Sequence, residues 1–313
     1  MSVAAIPQAA APPRPLEFRV ALGRWLDREA VFSWLMMALP LIFLFALVGY
    51  PFVYGVYLSL ENRPVAQPGV FVGLRNFIED ARDPVFWQVT RNTFIYTGVA
   101  TALKMAGGLA LALVINQGFR MKNLIRAALL LPFIVPTVLS TVAWMWILDP
   151  AFSVINWVLV HGGLVTPPGP SWLGNPSLAM ASIIVINTWR GLPFYAISLL
   201  AGLQTIPLDL YEAATIDGAS PRARFWYITL PLLKPVILIV TVFSVIFTFA
   251  DFQLVYVLTH GGPANATQLF ATYAFDIAMS GGQLGRGASV ALAMLPTLGL
   301  LIIGLTVYMR RRE

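Results

Sequence analysis

Residues 212–231 read EAATIDGASPRARFWYITLP. They stand in a polar gap between two long apolar runs. Pro207 suits a first helical position, and residues 208–217 contain Leu, Tyr, Glu and Ala, which favour or tolerate helix. Gly218 is placed to end that helix in a left-handed conformation. Ser220 and Pro221 form an N-cap and first-turn pair for a second helix. That helix is expected to stop near Leu230, because Pro231 disfavours helix in the residue before it. The stretch therefore reads as a helix–turn–helix elbow. Ala213, Ala214 and Gly218 keep it slim, so it either lies in a groove of another protein or serves only as a link between two spans.

The surroundings make the elbow a feature of a membrane protein. Of 313 residues, 58% are hydrophobic and only 11% charged. Mean hydropathy is +0.77. Soluble domains carry about 25% charge, and so few charges cannot cover a water-facing surface. A bilayer core needs roughly 20 apolar residues of helix. Runs of that length fall at 31–60, 93–117, 127–148, 178–202, 236–259 and 288–309. The fold class is thus an all-α polytopic membrane protein with six transmembrane helices and a cytoplasmic helix–turn–helix loop, 203–235, between the fourth and fifth. Prolines 40, 51, 132, 136, 193 and 296 fall inside the spans and imply kinks within a packed bundle. Residues 1–30 read as a cytoplasmic tail, disordered at its Ala- and Pro-rich start, and 31–313 as the transmembrane domain. Residues 151–161 are apolar but too short to span, as an interfacial or re-entrant helix would be.

Seventeen of the 20 basic residues are arginine. They form no single run or face, which argues against nucleic acid. With both termini cytoplasmic, 13 of the 20 lie on the inside, and residues 149–177 on the outside carry none. There is no cysteine. His161 and His260 stand far apart without ligand spacing, so no metal site is expected. No lysine follows a glycine, so the chain lacks a phosphate-binding P-loop and is not a motor.

Glu212, Ala213, Ala214, Gly218, Ile228, Leu230 and Pro231 match the EAA loop of ABC-importer permeases without departure. The flanks GLQTIPLDLY and PLLKP, with FVGLRNF at 71–77, LLLPFIVP at 129–136 and LTHGGPANAT at 258–267, resemble the sugar branch of that family. The resemblance covers about residues 30–310 and is greatest to the maltose-type first permease. It implies a type I importer permease in the inner membrane, an elbow that docks in a cytoplasmic ATPase, and a solute delivered by an extracellular binding protein. It also implies a second similar permease and two ATPase subunits. This chain would bind no cofactor, with ATP and Mg held by the ATPases. Glu212, Ala213, Ala214, Asp217 and Gly218 would be the coupling residues.

Intramembrane polar groups suggest where solute passes. Ser244, Thr248 and Asp251 repeat at i, i+4 and i+7, one face of a helix. The fourth span offers Asn187, Trp189 and Tyr195. The resemblance adds Phe247 and Gln253, since 244–253 aligns with the sugar-contacting part of span five in maltose-type permeases. Thr248 and Asp251 stand where amides stand there. The expected solute-binding set is Asn187, Tyr195, Ser244, Phe247, Thr248, Asp251 and Gln253. Alternatively, Ser244 and Thr248 bond their own helix and Asp251 pairs within the bundle. Lys104 and Arg190 either satisfy groups within the bundle or attract an anionic solute. The rival function is an ion-coupled secondary transporter with Asp251 as coupling site. It has no use for a docking elbow, and no inverted repeat is visible. A membrane enzyme would want Asp, His or Lys clustered at one face, which is missing.

Overall fold

The computed structural model describes residues 29–117 and 121–310. Most of the expected tail, residues 1–28, lies outside the described residues. The chain divides into two units at Tyr57 and Leu58. The first is helical: α1 (Glu29–Leu44), a π turn (Phe45–Gly49) and most of α2 (Tyr50–Ser59). Residues Met36–Ser59 are long and apolar enough to cross a membrane. The π turn precedes Pro51, and Tyr50 N–H donates to Phe45 C=O. A proline clashes with the carbonyl four residues back, and a widened turn removes that clash without ending the helix.

The second unit begins with a two-residue hairpin, β1 (Glu61–Asn62) antiparallel to β2 (Val70–Phe71). Short α3 (Arg75–Arg82) leads into α4 (Pro84–Ile115). Asp83 caps α4 by accepting from Val85 N–H, with Pro84 at the first turn. Next come α5 (Lys122–Ile134), α6 (Thr137–Leu148), the short α7 (Val154–His161) and α8 (Pro176–Gln204). Asn175 caps α8 through Ser177 and Leu178 N–H. The elbow helices α9 (Leu208–Ile216) and α10 (Pro221–Arg224) follow, then α11 (Leu230–Phe249), α12 (Gln253–Thr259), α13 (Phe270–Phe275) and α14 (Leu284–Arg310). Five helices are long and apolar enough to span, and α5 with α6 makes a sixth if counted as one bent span.

Three expectations are corrected. The kink expected in the third span is a sharp bend that divides the helix: α5 and α6 meet at 91°. Val135 and Pro136 are extended there, as a residue before proline prefers. The fifth span does not reach residue 259. It ends at Phe249, and residues 250–252 break it before α12. The second elbow helix does not stop at Leu230. It runs from Pro221 to Phe249 through a π turn, Phe225–Thr229. Leu230 N–H donates to Phe225 C=O, so Pro231 is accommodated by the same device, at the same spacing, as Pro51.

In the second unit, helices α4 and α8 pack extensively against each other. A Cβ on Gly108 would come within 2.3 Å of Tyr195 Cβ, so only glycine allows this approach. Tyr195, Leu199, Leu203, Leu233 and Ile237 build the core on the elbow side, joining α8 to α11. Tyr96, Ile183, Ile186, Leu254 and Leu258 build the core at the other end, joining α4, α8 and α12.

Candidate functional site

The elbow is built from its ends inward. Ala219 N–H donates to Ala214 C=O at 2.8 Å and Gly218 N–H to Thr215 C=O at 3.1 Å. These are the paired bonds of a Schellman motif, and Gly218 holds the left-handed position with φ +77°. No atom lies within 4 Å of the place its Cβ would take, so conformation and not crowding requires glycine. Ser220 Oγ accepts from Ala223 N–H and opens the next helix. Arg224 donates to Thr215 Oγ1 at 2.8 Å, and Tyr211 hydroxyl pairs with Thr229 Oγ1 at 2.9 Å. Both bonds tie α9 to the following helix. Tyr211, Ile228 and Leu230 pack on the elbow-side core. The base is therefore anchored while the tip is free: Glu212, Ala213, Asp217 and Gly218 are exposed, Ala214 is half-buried, and Ile216 is 87% exposed.

A second feature is a partly open pocket within the second unit. A cavity of about 570 Å³ is bounded by α4, α8, α11 and the two breaks at 135–136 and 250–252. Asn187, Ser244, Phe247, Thr248, Asp251 and Gln253 line it together. Lys104, Thr137 and Arg190 contribute the other polar walls, with Phe133 and Phe194 beside them. Lys104 Nζ donates to Asn187 Oδ1 at 2.8 Å and to Thr248 Oγ1 at 2.7 Å. Asn187 Nδ2 donates to Asp251 Oδ2 at 3.0 Å, and Tyr96 hydroxyl donates to the same oxygen at 2.7 Å. One amide thus bridges a buried ammonium and a carboxylate. Gly191 makes this possible, since a Cβ there would lie 2.3 Å from Lys104 Cδ. Arg190 Nη2 donates to Thr137 Oγ1 at 2.6 Å, tying α8 to the bend before α6.

Thr248 Oγ1 accepts from Lys104, and its position on α11 leaves Asp251 beyond the helix end, not on a continuous face. Tyr195 does not line the cavity. It is fully buried, and its hydroxyl faces Thr241 and Ser244 without a hydrogen bond of good geometry. The sequence pointed to Lys104 and Arg190 as intramembrane charges but left their partners open. It gave no signal for Tyr96 or Thr137, whose roles depend on distant helices.

A third polar cluster ties α3, α4, α13 and α14 outside the spanning segments' centre. Arg286 bridges Asp80 at 2.9 Å and Asp83, while Ser289 donates to Asp80 and Tyr273 donates to Asp83 at 2.9 Å. Burial pushes the Asp80 carboxyl above its ordinary value of 3.8, and the bonds from Ser289 and Arg286 only partly offset it. Burial also pushes Asp83 upward, but Val85 N–H, Tyr273 and Arg286 outweigh it and hold Asp83 below 3.8. Burial and the Asp83 carboxylate push the Tyr273 phenol up.

Helices long enough to span, a partly open pocket with charged walls and an exposed, braced elbow are the features of a multi-pass membrane protein that passes a polar solute. Residues 104–312 match the family described as binding-protein-dependent transport system inner membrane component. The trehalose/maltose transport system permease protein MalF of Thermococcus litoralis is 36% identical over 288 residues, covering 91% of this chain and 96% of that protein. The sulfoquinovosyl glycerol transport system permease protein SmoG of Agrobacterium fabrum is 35% identical, covering 87% and 88%. A bacterial alginate ABC transporter, solved in complex with an alginate pentasaccharide-bound periplasmic protein, has a chain that superposes with TM-score 0.78. That chain is 22% identical, with 92% of this chain and 97% of that one covered, and shows the shared fold. The chain belongs to the binding-protein-dependent transport family as an inner-membrane permease subunit of an ABC importer. It is a transport subunit, not an enzyme, and the secondary-transporter alternative is not favoured.

Proposed function

We propose that this chain forms half of the translocation path of an importer for a sugar or sugar-like solute. The relatives named for trehalose/maltose and for sulfoquinovosyl glycerol both carry glycosides, which supports that solute class. The other half of the path is a second, similar permease. Two ATPase subunits hold ATP and Mg on the cytoplasmic side, and an extracellular binding protein delivers the solute. The alginate transporter's complex with a periplasmic protein supports the last partner. Both termini are cytoplasmic in this reading, because that orientation puts the Lys and Arg excess inside.

The observation that carries the proposal is the exposed elbow with its braced base. Glu212, Ala213, Ala214, Asp217 and Gly218 dock in a cleft of the ATPase. When the ATPases close on ATP, the docked elbow moves with them. Because the helix is unbroken from Pro221 to Phe249, that motion passes to the cavity wall. Asn187, Ser244, Phe247, Thr248, Asp251 and Gln253 form the solute-binding set, without the buried Tyr195. Hydroxyls of a sugar exchange hydrogen bonds with the amide and carboxylate groups, and Phe247 offers a ring to its CH faces.

The test is Gly218→Asp. The site is open and Asp tolerates a left-handed backbone, so the chain is expected to fold and reach the membrane. Solute-stimulated ATP hydrolysis and uptake are expected to fall to background, with loss of ATPase co-purification. Wild-type uptake in this variant would sink the coupling proposal.

A further inference from the structure

We infer that the transported solute carries an acidic group, a carboxylate, sulfonate or phosphate, and that Arg190 is the specificity-determining residue that binds it. The inference deepens the importer reading and rests on it.

The charge count of the cavity is the starting point. Among the described residues that line it, two are cationic, Lys104 and Arg190, and one is acidic, Asp251. Lys104 and Asp251 belong to one network. They bond opposite ends of the Asn187 amide, and each charge compensates the other across it. Asp251 bonds other groups and not Arg190: Oδ2 takes Tyr96 and Asn187, and Oδ1 takes Leu254 N–H at 3.4 Å. Arg190 lies near enough to feel these charges but makes no hydrogen bond or ion pair with them, so the lining keeps one cation in excess. Its hydrogen bond is to a neutral hydroxyl, Thr137, and its Nε–H is buried without an acceptor.

A guanidinium has five donors and cannot shed its proton, so the usual escape of a buried group is closed. An ionised side chain at membrane depth is costly unless it faces water or is paired. Holding the bend before α6 needs one donor to Thr137, which a glutamine would supply. A planar fork with unused donors facing a cavity fits a carboxylate, sulfonate or phosphate in two-pronged geometry. The surroundings suit the rest of such a solute. Phe133 and Phe194 stack at 6.3 Å beside Arg190 and present apolar ring surface, and Gln253 is exposed for hydroxyls. Neutral sugar needs only the Lys104–Asn187–Asp251 network, so Arg190 is the group that separates acidic from neutral solutes.

The experiment uses the complete permease–ATPase complex in nanodiscs without the binding protein, which would otherwise filter solutes first. Equilibrium dialysis compares a uronic-acid disaccharide with the same disaccharide reduced to its alcohol, and then a sulfonated and a phosphorylated hexose with glucose. At least one acidic member is expected to bind about tenfold or more tighter than its neutral counterpart, the range of a charge-assisted pair. The preference is expected to weaken with salt. Arg190→Gln should remove the preference and leave the neutral affinity within about twofold, on the same scale. Arg190→Lys should retain part of the preference, and Thr137→Val should retain it. The inference is overturned if no acidic member is preferred by wild type. It is overturned equally if Arg190→Gln weakens acidic and neutral binding alike, as a structural arginine, or one paired by a carboxylate of the second permease, would do. The importer reading fails by a different sign: a chain that purifies without an ATPase, whatever residue 190 is.

Discussion

Replacing Lys104 by methionine tests whether the cavity is held by charge or by hydrogen bonding alone. Methionine keeps most of the volume and removes the ammonium from Asn187 and Thr248. Interhelical hydrogen bonds in membranes average about 0.6 kcal/mol, so two lost bonds account for about 1 kcal/mol. The charge term is larger. With the Asn187 amide between them, Lys104 Nζ and Asp251 Oδ2 lie roughly 7 Å apart, and at an effective dielectric of about 20 the attraction is roughly 2 kcal/mol. Together these give about 3 kcal/mol for Lys104→Met, in line with the cost of stranding one partner of a buried pair. For a chain of this size that is a fall of about 5 °C in the thermal midpoint, measured in detergent at one fixed scan rate. Asp251→Asn keeps an oxygen for Tyr96 and Asn187 but removes the charge. The double variant is therefore expected to be about 2 kcal/mol less destabilised than the sum of the singles. Midpoints that add to within about 0.5 kcal/mol would refute the charge-bridge account and leave the network a set of independent hydrogen bonds.

Two further outcomes follow from the packing. Gly191→Ala puts a Cβ into the Lys104 stem, at an expected cost of about 1–3 kcal/mol in thermal stability. In a Lys104→Ala background the same change should cost almost nothing, and an equal cost in both backgrounds would remove Lys104 as the reason for glycine. At the Arg286 cluster the two aspartates titrate with opposite sign. Asp80 has a folded value above 3.8, so wild type should gain stability over Asp80→Asn as pH falls from that raised value toward 3.8. Asp83 has a folded value below 3.8, so its contribution should be present above 3.8 and lost as pH falls below it, relative to Asp83→Asn. Parallel pH profiles for the two variants would contradict the assignment.

The sequence by itself determined the class, the approximate place of the apolar runs and the turn of the elbow. Long apolar runs with most charges in the gaps between them leave a set of membrane-spanning helices as the arrangement that hides them, with no tertiary contact needed to see it. Gly218 and Ser220 act on their own backbone within four residues, so the turn was legible from local chemistry. Prolines misled where the remedy is also local but invisible in composition: a π turn carries the helix past Pro231, whereas at Pro136 the chain bends by 91°. Which remedy is used depends on what packs around each proline. The cavity shows the same division. Ser244, Thr248 and Asp251 were readable as polar residues in an apolar run, but their face was drawn on a helix that ends at Phe249. Only the tertiary structure brings Tyr96, Lys104, Asn187 and Asp251, from three separate stretches of chain, to one amide bridge. Only it leaves Arg190 outside the pairing and turns Tyr195 into the core. Helical periodicity fixes which residues share a face, but the partner of a buried charge is set by helix packing, and that is decided by glycines such as Gly108 and Gly191, whose close neighbours lie about 80 or more positions away along the chain.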